Sequence, residues 1–319
     1  MGITKAPSKS SVSYQNKHRD HNLFKDYYFC LLESLGQQAG FKQVKFRIKS
    51  KIFLLDSTTI SLCLSLFDWA KYKTAKGAVK MHTLLDYDGN LPTYVNITNG
   101  KTADNKGAYQ VPLLKGSVIV ADRFYNDFHL LNIWDSKGVF FVIRHKENLQ
   151  YISKGEMPLP ENRHQNIMID ELIELKNPTS KEKYGNKLRR VAVWDDKNKQ
   201  TIELITNHLT WTANTISELY KTRWQIEIFF REIKQNLHIK SFVGTTENAV
   251  MIQIWTALIT ILILKALKAM ATYKWHLSNL VAFIRLNIFV KINLQQWLDK
   301  PFDEPPPNEP NSCAQGILF

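Results

Sequence analysis

Two short apolar runs, each closed by an aspartate, constrain this chain more than any other feature: IFLLD ending at Asp56 and SVIVAD ending at Asp122. Unbroken runs of Val, Ile, Leu and Phe bounded by polar residues read as buried strands rather than half-exposed ones. Between them, Ala78 to Asp86 and Leu91 to Thr98 read as two further strands joined by Tyr87-Asp88-Gly89-Asn90, whose Asp-Gly pair signals a hairpin. Beyond Asp122, Asp127 to Ser136 has the spacing of a helix, and GVFFVIRH from Gly138 reads as another buried strand. Strand, hairpin, strand, helix and strand together predict a mixed α/β fold.

The flanks extend this pattern. Asp20 is placed to cap a helix in which Leu23, Phe24, Tyr27, Tyr28, Leu31, Leu32 and Leu35 recur at helical spacing up to Gly36. Val44, Phe46 and Ile48 then alternate with Lys45, Arg47 and Lys49, as in a strand. Between Lys146 and Gln200 the periodicity weakens to short strand-like runs such as LRRVAVW, which reads as an insertion. TIELITN leads into a long helix from about Asn214 to Leu237, with apolar helices expected at Asn248 to Thr272 and Leu277 to Trp297. Pro301, Pro305, Pro306, Pro307 and Pro310 mark an extended tail. The expected organisation is a helical remnant at 1–40, a core at 41–145, a β-rich insertion at 146–208, the rest of the core at 209–298 and a Pro-rich tail at 299–319.

A formal charge of +13, from 42 Lys and Arg against 29 Asp and Glu, makes a polyanion the first partner to consider. Cys30, Cys63 and Cys313 have no paired spacing, which excludes a disulfide scaffold or cysteine zinc site and points to a reducing cytoplasm. The amino terminus matches neither a secretory leader nor a myristoylation signal. The apolar run Ala249 to Leu264 is shorter than the roughly 20 residues of a membrane span and reads as a buried core helix. No membrane partner is expected.

The chemistry concentrates in YKTRWQIEIFFREIKQNL, where Tyr220, Arg223, Glu227 and Lys234 follow the pattern Tyr-x2-Arg-x3-Glu-x6-Lys. At about 100° per residue these four fall within about 40° of one another around a helix axis. Arg223 and Glu227 alone would be an ordinary i,i+4 pair. Trp224, Ile228 and Leu237, however, supply an apolar edge to the same helix, so the charged face is expected to look across at the sheet. Asp56 and Asp122 stand where buried strands emerge, the usual place for sites in open α/β sheets. Two such aspartates with a helix-borne glutamate are hard oxygen donors suited to Mg²⁺ or Mn²⁺, and their mutual repulsion calls for cations. His82, His145 and His164 have no metal-binding spacing. Lys181, Lys183, Lys187, Arg189 and Arg190 read either as a solvated face or as a DNA-backbone surface.

The Tyr-x2-Arg-x3-Glu-x6-Lys pattern resembles the signature of the insertion-sequence-four family of DDE transposases, and LLDSTTI around Asp56 and ADRFYNDF around Asp122 resemble its two aspartate blocks, in the same order. The likeness runs from about Lys51 to Lys268. It implies an RNase H-like mixed-sheet core with a β-rich insertion domain and C-terminal helices. It further implies that Asp56, Asp122 and Glu227 are catalytic metal ligands for two Mg²⁺ or Mn²⁺ ions, and that Tyr220, Arg223 and Lys234 bind DNA. The implied activity is DNA cleavage at insertion-sequence ends followed by strand transfer. The implied setting is the bacterial cytoplasm at the nucleoid, with double-stranded DNA as partner and a homodimer as a plausible assembly on it. Two departures stand out: Phe124 replaces the glycine usual after Asp-Arg, and the region before Lys51 looks shortened. A chain without its front domain is expected to bind duplex DNA but to discriminate element ends poorly. The competing expectations are a non-catalytic DNA-binding remnant and a metal-dependent nuclease without strand transfer.

Overall fold

A computed structural model describes residues 7–36, 50–63, 65–73, 76–159, 166–237 and 242–302. The expected strand at Val44 to Ile48, His164 and the Pro-rich tail beyond Phe302 lie outside the described residues. The chain divides into two units, Met1–Thr260 and Ile261–Phe319.

The first unit is mixed α/β, as the apolar runs predict. It opens with α1 (Lys9–His18) and α2 (Asn22–Gly36), followed by β1 (Ile52–Leu62), β2 (Lys71–Lys73), β3 (Lys76–Asp86) and β4 (Leu91–Asn99). Then come α3 (Asp104–Ala108), β5 (Val118–Ala121), a 3₁₀ turn at Arg123–Tyr125, α4 (Phe128–Ser136) and β6 (Phe140–Arg144). Next are β7 (Tyr151–Glu156), β8 (Ile167–Leu175), α5 (Pro178–Lys183), β9 (Leu188–Asp195) and β10 (Gln200–Thr206). The helices α6 (Ala213–Thr222), α7 (Trp224–Asn236) and α8 (Glu247–Met270) complete it, α8 running past the unit boundary.

Among the described residues the strands form a single ten-stranded sheet in the order β2-β3-β1-β5-β6-β10-β9-β8-β7, with β4 also paired to β3. The pairs β1 with β5 and β5 with β6 are parallel, and every other pair is antiparallel. The weakly periodic stretch 146–208 therefore continues the central sheet, because β10 hydrogen-bonds directly to β6. One face of the sheet is sealed by Phe53, Leu55, Ile119, Tyr125, Leu130, Trp134, Phe141 and Ile143. Gly107 of α3 lies so close to this sheet that a Cβ there would fall 2.4 Å from His82 Nδ1, so only glycine admits the approach.

Several elements differ from the sequence expectation. Strand β1 does not end at Asp56 but continues to Leu62 along β3. The expected helix Asn214 to Leu237 is two helices meeting at Arg223, and the apolar segment after Leu277 breaks into α9 (Leu277–Asn287) and α10 (Leu294–Asp299), the latter capped by Asn293. Helix α1 has no buried residue, and so left no hydrophobic period to read. Helix α8 is longer than its apolar run and, by length and composition, long enough to cross a membrane, but 56% of its most apolar window is buried within the protein, including Val250, Ile254, Trp255 and Leu258. The second unit is held by Trp275, Leu280 and Leu298 packed with Phe283 and Trp297.

Arg189 and Arg190 are not a DNA-facing surface. Arg189 clamps Asp170 through two bonds of 2.7 and 2.6 Å, and Arg190 bonds Glu171 at 2.6 Å and Glu203 at 2.9 Å, all four cross-strand and at most 31% exposed in their side chains. His145 closes the same network onto Glu203, and burial holds the His82 imidazole down at about 4, hence neutral, against Thr98. These histidines are structural. Because removing one partner strands a buried charge, Arg189→Ala is expected to cost about 3–5 kcal/mol of stability. Urea unfolding should show it, with the paired change Asp170→Leu, Arg189→Met recovering part of the loss.

Candidate active site

The parallel ladder between β1 and β5 ends at the pair Leu55 and Ala121. The next residue on each strand is an aspartate, Asp56 and Asp122. Adjacent strands lie about 4.8 Å apart and residues in register point to the same face, so the ladder's end sets the two carboxylates side by side. Each is fixed by a local hydrogen bond: Asp56 Oδ1 accepts the Ser57 N–H at 2.7 Å, and Asp122 accepts the N–H of Arg123 at the start of the 3₁₀ turn.

The third carboxylate comes from α7. That helix buries Ile226, Phe229, Phe230 and Ile233, whereas Trp224, which was expected on the apolar edge, is 56% exposed. The buried set turns Glu227 toward β1. Asp56, Asp122, Arg223, Glu227 and Lys234 line one cavity of about 370 Å³ together with Ser57, Thr58, Phe230, Arg231 and Gln235. Arg223 bridges two of the acids, at 2.6 Å from Glu227 and 3.7 Å from Asp56, and Lys234 donates to the Thr59 carbonyl of β1 at 2.8 Å.

Tyr220 is placed differently from the others. The chain tightens at the junction of α6 and α7, where the Arg223 N–H reaches back to the Tyr220 carbonyl at 3.0 Å. An ideal 100° step therefore does not hold across it. Tyr220 lines a neighbouring cavity with Trp194, Leu204 and Ser217, and its ring lies 5.8 Å from the Arg223 guanidinium. It contacts the site through Arg223. Arg231 and Gln235 were not singled out in the sequence, although Arg231 stands four residues after Glu227, a spacing that carries it onto the same helix face.

Three acids and three cations, Arg223, Arg231 and Lys234, line this cavity, and burial decides the state of Asp56. Burial, reinforced by Asp122 and Glu227, pushes its carboxyl up to about 7, against the opposing pull of the Ser57 N–H and Arg223. Burial likewise raises the Tyr220 hydroxyl. Hard oxygen donors are chemically suited to the positive charge of divalent cations of the Mg²⁺ kind. In the arrangement shown, Arg223 supplies part of that charge, and among the described residues no three His, Cys, Asp or Glu side chains already converge as a coordination shell.

Residues 47–263 match the family described as the transposase DDE domain. The chain belongs to the DDE transposases. The transposase described for insertion sequence element IS5377 of Geobacillus stearothermophilus is 27% identical over 277 residues, covering 86% of this chain and 72% of that one. The y4zB transposase of Sinorhizobium fredii is 31% identical over 73% of this chain and 66% of its own length. The protein described for element IS4SA of Synechocystis is 25% identical over 91% and 80%. Two of these three relatives of this DDE transposase are thus described for insertion sequence elements. The NurA nuclease of Sulfolobus solfataricus aligns at 9% identity with a TM-score of 0.26 over 67% of this chain and 94% of its own, too low to carry any argument.

The raised Asp56 carboxyl has a consequence for stability. An acid whose folded pKa of about 7 exceeds its ordinary value near 4 binds its proton more tightly when folded, so stability falls as pH rises between those values. Asp56→Asn removes that penalty. Thermal or urea unfolding in a chelator is expected to show the variant gaining on the order of 1–3 kcal/mol over wild type at pH 8, with the gain vanishing toward pH 4.

Proposed function

We propose that this transposase, as a member of the insertion-sequence-four branch, cleaves DNA at the ends of an insertion sequence and joins the freed 3′ ends to target DNA. The observation that carries the reading is the single cavity shared by Asp56, Asp122 and Glu227 with Arg223 and Lys234 at its edge. Asp56, Asp122 and Glu227 would hold two Mg²⁺ or Mn²⁺ ions. Such ions, when bound, activate an attacking oxygen and stabilise a leaving one in phosphoryl transfer.

The chain's own residues do the rest. The end of the β1–β5 ladder holds the two aspartates rigidly, and α7 presents Glu227 against them. Arg223, paired with Glu227 and backed by the Tyr220 ring, offers a planar cation for a phosphate oxygen, and Lys234 offers a second positive charge one face-turn away. Tyr220 orients Arg223 in this scheme. Phosphate contacts of this kind fix the position of the scissile bond without reading sequence. Two copies acting on two element ends would complete a synaptic complex.

A cleavage and strand-transfer assay with the element's own ends tests the proposal. Asp56→Ala, Asp122→Ala and Glu227→Ala should each abolish cleavage while leaving duplex affinity within about twofold. Persistence of cleavage in any of them would remove that residue from the catalytic set, and cleavage without joining would identify a nuclease. Arg223→Ala should lower the magnitude of the log-log salt slope of duplex binding by about 0.9, the value of one lost phosphate contact.

A further inference from the structure

Strand β1 loses a neighbour at the point where the carboxylates gather. Its parallel ladder with β5 stops at Leu55 and Ala121, whereas its antiparallel ladder with β3 runs on, pairing Asp56 with Thr83, Ser57 with His82 and Thr59 with Lys80. From Asp56 onward, one edge of β1 therefore has no partner strand among the described residues. At that edge the Ser57 N–H is taken by Asp56 Oδ1 at 2.7 Å. With Oδ1 engaged, Oδ2 is the oxygen 3.7 Å from Arg223. The pose of the Asp56 carboxylate thus depends on where Ser57 is held.

Ser57 is held from the back of the sheet. Successive side chains of a strand point to opposite faces, so Asp56 looks into the cavity beneath α7 while Ser57 shares the other face with Leu55 and, across the β3 register, with His82 and Lys80. Helix α3 lies on that face, its Gly107 pressed against the His82 ring. Its first residue, Asp104, accepts a hydrogen bond from the Ser57 hydroxyl through Oδ1. The same oxygen accepts Lys80 Nζ at 3.0 Å, and that ammonium also donates to the Thr102 carbonyl at 2.8 Å. The Lys80 and Asp104 side chains are only 12% and 22% exposed. An ion pair this sheltered is a firm support, because moving either partner strands a charge.

We propose that Asp104 is a positioning residue for Asp56: it anchors the Ser57 hydroxyl from the opposite face of the sheet, and Ser57 in turn holds the Asp56 carboxylate through its N–H in the pose that receives a divalent cation. Lys80 keeps Asp104 in place. Asp104 and Lys80 are not among the residues that line the cavity of Asp56, so their influence passes through the strand. Groups that orient a metal ligand from outside its coordination shell change metal affinity by about 10–100-fold when removed. The inference rests on the metal-dependent reading of that cavity.

The test measures Mn²⁺ binding to the full chain through the electron paramagnetic resonance signal of the free ion, alongside urea unfolding in a chelator. Ser57→Ala and Asp104→Asn should each weaken Mn²⁺ binding about tenfold. Ser57→Thr, which returns the hydroxyl, should restore it. The double variant should bind no more weakly than either single one, because the two residues act as one unit. Ser57→Ala leaves the Asp104–Lys80 pair intact, so it decides the matter even where Asp104→Asn fails to fold. Wild-type Mn²⁺ affinity in Ser57→Ala, or losses that add in the double variant, would overturn the positioning role. A lowered unfolding midpoint with unaltered Mn²⁺ affinity would also overturn it, leaving a purely structural contact. Asp56→Ala is the control for the underlying reading: if it binds Mn²⁺ as tightly as wild type, the metal reading of the cavity is wrong and this inference falls with it.

Discussion

The parallel pairing of β1 with β5 is the constraint on which the rest depends. Because its last register pair is Leu55 with Ala121, the aspartates that follow are placed by backbone hydrogen bonds and not by side-chain choice. A slip of one residue in this ladder would turn one of the two carboxylates to the opposite face. The fully buried flanking residues, Leu54, Leu55, Val120 and Ala121, make such a slip costly, since it would exchange side chains of different size between two closely packed faces.

Holding acids together in a buried place is unfavourable, and the surrounding structure is arranged around that cost. Arg223 occupies the junction of two helices, where its backbone is fixed by the tightened turn and its side chain reaches acids from both α7 and β1. Burial, with Asp122 and Glu227 nearby, still raises the Asp56 carboxyl against the pull of Arg223. The residue that joins α6 to α7 thereby also contributes its charge to the cavity.

The rest of the sheet serves as a rigid support. Strands β7 to β9 extend it through β10: Ile173, Leu175 and Leu188 join the core beneath the sheet, and the paired arginines and acids satisfy one another across the strands. Sequence alone presented Arg189 and Arg190 as a basic patch, because neighbouring positive charges look alike whether they face water or a carboxylate on the next strand. The acids that claim them, Asp170, Glu171 and Glu203, lie far along the chain, and strand register alone brings them opposite.

What the sequence determined by itself is local. Apolar runs without alternation marked β1, β5 and β6, the Asp-Gly turn marked the β3–β4 hairpin, Asp127 marked the start of α4, and the spacing of Arg223, Glu227 and Lys234 marked a charged helix face. Those signals depend on neighbours within a few residues, where periodicity and capping act. Three matters belonged to the tertiary structure. Strand β1 runs on past Asp56 because β3 continues to pair with it, a fact outside the β1 segment. The helix carrying Tyr220 and Glu227 breaks at Arg223, where the backbone tightens to an i,i+3 bond with Tyr220, and no proline or glycine announces it. The cavity lined by Asn105, residues 126–128, 146–150 and 177–183 draws its walls from four segments distant in sequence, so no window of the chain contains its chemistry.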